Sequence, residues 1–327
     1  MRELAKELGV SPSAVSMALN DKKGISAATK KRILDHIAGK GYTVATNRTR
    51  GQQERRGLMI AFLQRSTMDL ADSYLLSSLV PNLESVAEKS GFTTSIKYIR
   101  PEELPNFSPR TDAVIFWGTA MNQEDLPFIS QAAFPFVVLD CPLHHFPVNS
   151  VCMDNRGGVR AAIENLIVNG HKRIGYLRAK GVLFLNYKER FQEYTACLEE
   201  RGLPKADIIE LPNDLNMACA EMNRWLGENE PIRSTAFVAD NSSITCGAAT
   251  ALENYGVRIG EDISLICFDN SSYAEAMGIT AIAISEEQLA KAAIDLLVNN
   301  MEHPEWPAAH CLVGTRLISR RSVKTIL

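Results

Sequence analysis

The fold of the N-terminal end is decided by LAKELGVSPSAVSMALN, residues 4–20. Gly9 can end a first helix because glycine tolerates the left-handed conformation that follows helices. Ser11 can cap a second helix, in which Val15 and Leu19 lie four residues apart and face inward. Two short helices at this spacing favour a helix-turn-helix, the arrangement that places its second helix in the major groove of DNA. An ordinary helical hairpin at the edge of a domain is the alternative.

The residues that follow complete a small all-α module. A third helix is predicted over residues 26–39, where Ser26 is a good cap and Ile33 begins an apolar face. The three helices predict a helix-turn-helix DNA-binding domain over residues 1–45. Residues 46–57 are polar and basic and end at Gly57, a composition typical of a hinge or linker.

Composition limits the class of protein. With 327 residues, 46% of them hydrophobic and 22% charged, the chain is long enough for more than one packed domain. Its seven cysteines are scattered without a C-x-x-C pair, so neither a disulfide framework nor a zinc site is expected. The N-terminus resembles a polar helix rather than a signal peptide, and no apolar run is long enough to span a bilayer. These features predict a cytoplasmic protein with no membrane partner.

The formal net charge of −3 hides an asymmetry along the chain. Residues 1–56 contain 12 basic and 5 acidic residues, a net charge of +7, whereas the remainder contains 23 and 33, a net charge of −10. A basic N-terminal segment can contact DNA phosphates, and an acidic body is repelled by DNA elsewhere. A solvated basic terminus is the alternative, which the helix-turn-helix spacing makes less favourable.

From residue 58 to residue 327, short apolar runs alternate with helical periods. Continuous apolar strands that alternate with helices are typical of parallel sheets covered on both faces. The pattern therefore predicts an α/β core of two doubly wound parallel-sheet lobes, with a ligand between them at the carboxyl ends of the strands. The predicted strands cover residues 58–63, 94–98, 113–117, 136–139, 173–177, 208–211, 235–239 and 264–268, and the predicted helices cover residues 75–90, 157–169, 187–201, 216–226 and 243–255.

In its order of segments the chain resembles the lactose-repressor/galactose-repressor (LacI/GalR) family of bacterial transcription regulators. The resemblance covers nearly the whole chain, and its motifs are specific only in combination. They are residues 4–11 with Val15-Ser16 and Leu19-Asn20, Gly41-Tyr42, SVCMDNRGG at 150–158, NGHKRI at 169–174, GVRIGEDISLI at 256–266 and Phe268-Asp269-Asn270. The resemblance implies a helix-turn-helix module, a hinge and a core like that of periplasmic sugar-binding proteins. It also implies a homodimer that binds a palindromic operator, with a small effector between the lobes controlling DNA affinity.

The resemblance assigns contacts with DNA to the second helix and to nearby basic residues. Met17 stands where the family usually has an arginine, and methionine cannot make the bidentate contact to guanine that arginine makes. We therefore expect an operator half-site that differs from those of typical relatives. The implied DNA-binding residues are Ser11, Pro12, Ser13, Ala14, Ser16, Met17, Asn20, Lys30, Arg48 and Arg50, of which Pro12, Ser13, Ala14, Ser16 and Met17 are expected on the exposed side of the helix.

The hinge departs most from the family pattern. Relatives usually carry a leucine that wedges into the minor groove and kinks the DNA. Here no leucine occurs in the linker before Leu58, and Gly51 disfavours a helix by about 1 kcal/mol relative to alanine. Arg48 and Arg50 can still enter a narrow minor groove. We expect weaker ordering of the hinge and less DNA bending than in the family.

Polar residues near the predicted strand ends are the candidates for effector binding. By family match these are Asp154, Arg190, Asn241 and Asp269, and a set of carboxylate, amide and guanidinium groups suits a ligand rich in hydroxyls, such as a sugar or sugar derivative. Each of these residues could instead be a helix cap or a surface residue. Leu215 lies near the position where relatives often place an aromatic residue that stacks on a sugar, and from the first lobe the candidates are Arg65, Ser66 and Tyr74.

Other classes of function are less well supported. A solute-binding protein of the transport type would explain the core but not the N-terminal module. A dinucleotide-dependent enzyme would need a phosphate-binding glycine motif after a strand, and the sequence contains none. We therefore expect no enzymatic activity and no cofactor. His144, His145 and His171 lack a third ligand at suitable spacing, so no metal site is expected and they are interpreted as surface or turn residues. Cys141 and Cys267 are expected in the core.

Overall fold

The computed structural model describes residues 8–11, 14–15, 18, 24–39, 55–64, 74–181, 184–204, 206–229 and 231–326. The chain divides into two compact units, Met1–Arg55 and Arg56–Leu327. Helix α1 (Ala27–Gly39) belongs to the first unit. Its start is capped as expected, because the Ser26 hydroxyl accepts a hydrogen bond from the Thr29 amide at 3.1 Å.

A small apolar cluster holds the N-terminal unit together. Val15 and Ile33 are fully buried and pack with Ala18, and the partly buried Leu8 lies against them. The inward position expected for Val15 is therefore confirmed, whereas Leu19 lies outside the described residues. Ala14 is buried as well, so the expectation that it lies on the exposed side of the second helix is wrong.

The second unit contains twelve strands within its described residues. In chain order they are β1 (Arg56–Leu63), β2 (Phe92–Ile99), β3 (Ala113–Trp117), β4 (Phe136–Leu139), β5 (Ser150–Met153), β6 (Ile174–Ala179), β7 (Ile208–Leu211), β8 (Ala236–Ala239), β9 (Ser264–Phe268), β10 (Thr280–Ala283), β11 (His310–Val313) and β12 (Arg316–Ile318). The first lobe has the sheet order β11-β5-β4-β3-β1-β2, and the second has β12-β10-β9-β8-β6-β7. Apart from the antiparallel pair of β10 and β12, all neighbouring strands are parallel.

Helices cover the two sheets, as expected for buried parallel strands. They are α2 (Tyr74–Lys89), α3 (Leu126–Ser130), α4 (Asn155–Val168), α5 (Leu185–Glu200), α6 (Leu215–Glu228), α7 (Ser242–Asn254), α8 (Ser272–Ala276) and α9 (Glu286–Glu302), with a 3-10 helix at Pro101–Asn106. Every residue of β3 and β9 is buried, because both faces of these central strands are covered. The predicted fold class of two doubly wound lobes is confirmed.

The predicted and observed strands differ in some of their boundaries and in their number. Strand β1 begins at Arg56, two residues earlier than predicted, because the backbone of Arg56 already pairs in register with Phe92. The sequence pattern did not predict β5, β10, β11 and β12. The residues of β11 and β12 are mostly exposed or half-buried, so these strands lack the continuous apolar run that marks an internal strand. Strands β5 and β10 are buried, but each has only four residues and begins with a polar one.

The chain passes between the two lobes three times. After β5 it enters the second lobe through α4, which packs on α5 and on the second sheet. Helix α9 then returns to the first lobe, where it packs on α2, and β11 completes the first sheet. Finally β12 completes the second sheet. Asp154 lies at the first of these crossings, so its predicted place at the start of the second lobe is confirmed.

Three further expectations concern buried cysteine and histidine side chains. Cys141 and Cys267 are buried, as predicted. His171 lies just after a helical turn, but it is buried rather than at the surface. Its ring is held by Thr235 Oγ1 at 3.0 Å and by the Lys324 carbonyl oxygen at 3.2 Å, and burial lowers its pKa. His171 therefore helps to fix the C-terminal segment on the second lobe.

Two searches of the described residues bear on membrane and metal binding. None of the helices listed above combines the length and apolar character that a membrane crossing requires. Among the same residues, no group of three or more histidine, cysteine, aspartate and glutamate side chains has a geometry that could hold a metal ion.

Candidate functional site

Two aspartates mark the ends of corresponding strands in the two lobes. Asp140 directly follows β4 of the first lobe, and Asp269 directly follows β9 of the second. Their φ angles are 61° and 74°, and they are the two non-glycine residues with positive φ in the described part of the chain. The negative charge of each influences the guanidinium of Arg190. The carboxyl ends of these strands are where parallel sheets bind ligands.

Arg190 lies on α5 and is buried at the centre of this region. Its Nε donates to Asn155 Oδ1 at 2.8 Å, its Nη1 donates to the Asp240 carbonyl oxygen, and its Nη2 lies 3.2 Å from Met153 Sδ. The guanidinium also lies 3.6 Å above the Phe268 ring centroid, a cation–π arrangement. Arg190 therefore joins the crossing segment after β5 to two strand ends of the second lobe.

The charge of Arg190 is balanced by carboxylates that it does not touch directly. Burial by itself would lower the pKa of Arg190, but Asp269, Asp240 and Asp140 raise it. Among the described residues, no ion pair within 4 Å joins Arg190 to any of these carboxylates. The site thus keeps opposite charges close together without neutralising them through contact.

Asp240 lies under Arg190 and was not among the predicted site residues. It is fully buried, and its carboxylate accepts hydrogen bonds from Tyr176 Oη at 2.5 Å and from the Ala179 amide at 2.9 Å. Burial raises its pKa to about 6. Its position directly after the fully apolar β8 is the signal by which sequence reasoning could have found it.

Asp140 was missed in the same way, although it also follows an apolar strand. Thr119 Oγ1 donates to its Oδ2 at 2.5 Å, and Asn186 Nδ2 of the second lobe donates to its carbonyl oxygen at 2.9 Å. Its other carboxylate oxygen, Oδ1, is buried without a hydrogen-bond partner in the described structure. Burial raises the pKa of Asp140 to about 6, and the charge of Asp269 contributes in the same direction.

Asn241, a predicted site residue, also caps a helix. Its Oδ1 accepts from the Ile244 amide at 3.0 Å at the start of α7. Its Nδ2 donates to Tyr187 Oη at 2.9 Å and to Asn213 Oδ1 at 2.6 Å. The Tyr187 ring centroid lies 5.3 Å from the guanidinium carbon of Arg190. The structure therefore brings Asn241, Arg190 and Asp269 together, as the sequence predicted.

The remaining predicted effector residues are placed less directly. Asp154 Oδ1 accepts from the Gly157 amide at 2.8 Å and caps α4, and its chain neighbours Met153 and Asn155 both contact Arg190. Leu215 begins α6 and packs, partly buried, against the core of the second lobe. Tyr74 begins α2, but its side chain lies outside the description, as do Arg65 and Ser66.

A second group of contacts joins the lobes beside the cleft. Glu189 Oε1 accepts from Arg156 Nε at 2.9 Å and lies 3.4 Å from Nε2 of His144, a residue of the first lobe. Asn155 Nδ2 donates to the other oxygen of Glu189 at 3.2 Å. The start of α5 thus contacts the loop after β4 through Asn186 and Glu189. A movement of one lobe relative to the other would have to break this contact.

Of the predicted DNA-binding residues, the structure describes only three. Ser11 Oγ accepts a hydrogen bond from the Ala14 amide at 3.1 Å, which confirms that Ser11 caps the second helix. Lys30 is half-buried on α1. Pro12, Ser13, Ser16, Met17, Asn20, Arg48 and Arg50 lie outside the described residues.

Known proteins resemble both parts of the chain. A family model described as bacterial regulatory proteins of the lacI family matches residues 1–44, and one described as a periplasmic binding protein-like domain matches residues 163–323. The HTH-type transcriptional repressor PurR of Mannheimia succiniciproducens is 25% identical over 344 residues, which cover 100% of this chain and 99% of the relative.

Solved structures agree with this match at the level of fold. The lac repressor dimer bound to operator and the anti-inducer ONPF superposes with a TM-score of 0.73 at 20% identity, and covers 98% of both chains. The complex of the transcriptional regulator CelR with cellobiose gives a TM-score of 0.71 at 21% identity and the same coverage. With a lacI-type N-terminal segment and a two-lobed core of this kind, the chain belongs to the LacI/GalR family of bacterial transcription regulators.

Proposed function

We propose that this regulator represses transcription by binding a palindromic operator as a homodimer, and that a small effector in the cleft between the lobes controls its affinity for DNA. The observation that carries the proposal is the arrangement around Arg190. There, Asp269 and Asn241 of the second lobe and Asp140 of the first lobe lie just after strands of their sheets, and the charges of both aspartates act on the Arg190 guanidinium.

A hydroxyl-rich ligand, a sugar or sugar derivative, is the first candidate for the effector. Carboxylates accept hydrogen bonds, guanidinium groups donate them and amides do both, so the set together can serve sugar hydroxyls. A related regulator was solved with cellobiose, which supports the same ligand class here. The expected participants are Asp154, Arg190, Leu215, Asn241 and Asp269, with Arg65, Ser66 and Tyr74 from the first lobe.

We propose three functional segments along the chain. Residues 1–45 bind DNA, residues 46–57 form a hinge, and residues 58–327 bind the effector and dimerise. Since Met17 replaces the usual arginine, selection of binding sites from random DNA should return a half-site unlike that of typical relatives. Since the hinge lacks a leucine wedge, circularly permuted operator fragments should show little central bending. Recovery of the usual half-site would contradict the proposal about Met17. A strong central kink would contradict the proposal about the hinge.

Effector control is tested by linkage. A ligand that binds only the native state raises the unfolding temperature, so a thermal-shift screen of sugars identifies candidates. Operator binding is then measured by fluorescence anisotropy, with and without each compound that raises the unfolding temperature. Coupling must be reciprocal, so an effector that weakens operator binding tenfold must itself bind tenfold less tightly when operator is present. Absence of binding to every DNA sequence, with an intact ligand response, would favour a solute-binding protein instead.

A further inference from the structure

Several hydrogen-bond donors of the cleft already have partners within the protein. Each of the three guanidinium nitrogens of Arg190 contacts a protein acceptor, on Asn155, Asp240 or Met153. The amide nitrogen of Asn241 donates to two oxygens of its own lobe. A guanidinium has five N–H donors, so these three contacts leave Arg190 partly available, whereas both N–H groups of the Asn241 amide are used.

At two carboxylates, in contrast, acceptor oxygens remain without a donor from the protein. Asp140 is buried to 99%, yet its Oδ1 accepts no hydrogen bond in the described structure. The Asp269 carboxylate takes part in no side-chain hydrogen bond and no ion pair among the described residues, although its backbone amide donates to Ile282 at 3.1 Å. A buried carboxylate oxygen without a donor is costly, because it has lost its contact with water and gained no partner. Asp140 is in this position at Oδ1, and the half-buried Asp269 receives no donor from the described protein at either carboxylate oxygen.

The charges around Arg190, like the unpartnered acceptor oxygens, favour a ligand that donates hydrogen bonds. Around Arg190 the described structure places three carboxylates, of Asp140, Asp240 and Asp269, against one guanidinium. Asp240 already accepts from Tyr176 and Ala179, whereas Asp140 accepts at one carboxylate oxygen only, from Thr119. Burial raises the pKa of Asp140 and of Asp269 by more than the positive charge of Arg190 lowers it.

We propose that the effector carries an ammonium group, as an amino sugar or a related amino polyol does, and that Asp140 and Asp269 accept its N–H donors from opposite lobes. This inference rests on the proposed function, since it names the ligand class of the same cleft. An ammonium group between the two carboxylates supplies a donor to each and reduces their mutual repulsion. A phosphorylated or carboxylated sugar would instead add negative charge beside both aspartates, and a neutral sugar would leave the charge imbalance in place.

The test compares ligands that differ at one functional group. Full-length protein is titrated at pH 7.0 and constant ionic strength with D-glucosamine, D-galactosamine and D-mannosamine, with the parent hexoses, and with glucuronic acid, galacturonic acid and glucose 6-phosphate. Calorimetry and thermal shift are both recorded. At least one amino sugar is expected to bind at least tenfold more tightly than its parent hexose, and the acidic compounds are expected to bind more weakly than the neutral ones.

Substitutions connect that preference to the two aspartates. Asp140→Asn and Asp269→Asn are each expected to reduce the ratio of amine to hexose affinity at least tenfold. Asp295→Asn is the matched control, because Asp295 is an exposed carboxylate on α9 that pairs with Lys291 at 2.7 Å. It should leave the ratio unchanged.

Two results would overturn the ammonium assignment. One is tighter binding of a neutral or acidic compound than of its amino counterpart, and the other is no thermal shift with any amine in the panel. An amine preference that survives in both variants would overturn the roles of Asp140 and Asp269. These failures are distinguishable from failure of the proposed function, which is measured separately as loss of operator binding.

Discussion

Asp140 and Asp269 occupy equivalent positions in the two lobes. Each follows the third strand in the order of its sheet, β4 in the first and β9 in the second, and each has a left-handed backbone conformation. Aspartate tolerates this conformation better than most residues with a side chain. The two lobes thus present the same chemical group at the same topological place, and Arg190 lies within the electrostatic reach of both.

The buried carboxylate of Asp140 should make stability depend on pH. Its pKa is raised from 3.8 to about 6 in the folded chain. The folded state therefore holds a proton that the unfolded state has already lost, and this contribution to stability disappears as pH rises through 6. Relative to Asp140→Asn, the wild-type chain should lose about 2 kcal/mol of unfolding free energy between pH 4.5 and 7.5.

Urea denaturation followed by circular dichroism measures this difference. Asp240 titrates in the same range but is present in both proteins, so the comparison isolates Asp140. Asp295→Asn should follow the wild-type profile. Parallel profiles for Asp140→Asn and the wild type would show that Asp140 does not titrate as its burial requires.

Glu189 should matter more for stability than a glutamate farther along the same helix. Its side chain is 8% exposed and contacts Arg156, Asn155 and His144, so Glu189→Ala removes one acceptor from each of these side chains and a contact between the lobes. We expect a loss of about 1–3 kcal/mol in unfolding free energy, measured by urea denaturation.

The control for Glu189 is Glu200→Ala. Glu200 lies near the end of α5, pairs with Arg160 at 2.8 Å and is 53% exposed. Water can solvate both partners after truncation, so the effect should be clearly smaller than that of Glu189→Ala. Equal losses in the two variants would contradict the role given to the lobe contact.

Arg190→Lys should destabilise the core although it keeps the charge. A lysine ammonium cannot donate along three fixed directions or lie flat on the Phe268 ring as the guanidinium does. We expect a loss of about 2–4 kcal/mol in unfolding free energy, because the neighbouring buried carboxylates lose part of their compensation. Arg233→Lys, at an exposed side chain paired with Asp207, should have little effect on the same measurement.

In the N-terminal unit, Ser11→Ala should loosen the second helix. The Ser11 hydroxyl accepts from the Ala14 amide, and loss of such a cap costs about 1 kcal/mol. Hydrogen exchange followed by mass spectrometry should show roughly fivefold faster exchange at residues 14–18. Ser11→Thr keeps the capping oxygen and should exchange at nearly the wild-type rate. If the alanine and threonine variants exchange equally, the cap does not hold the helix.

The sequence was informative where local pattern alone decides structure. The apolar runs at β3, β4 and β9 were predicted at both ends, because nearly continuous burial leaves an unbroken apolar run. Asn241 and Asp269 came from the family match, and their positions just after predicted strands supported it. Asp140 and Asp240 also come just after predicted strands, and no local feature of the sequence ranks these four residues against one another.

Contacts between distant segments could not be predicted in this way. Arg190 bonds to Asn155, 35 residues earlier, and no spacing or periodicity connects the two. Likewise His310 in β11 pairs in register with Ser150 in β5, so β11 is a strand because of a partner 160 residues away. The capping roles of Asp154 and Asn241 could not be predicted either. Aspartate and asparagine side chains can cap a helix or bind a ligand, and residue type does not distinguish the two roles.

The three crossings between the lobes have a consequence for synthesis of the chain. Neither sheet is complete until its last strand has left the ribosome, and β11 and β12 lie within the final 18 residues. Until then β5 and β10 each present an unpaired edge, the kind of surface on which nascent chains associate wrongly. A stop codon or frameshift before residue 310 would therefore damage both lobes together. It should yield an aggregated chain rather than a stable fragment that retains one lobe.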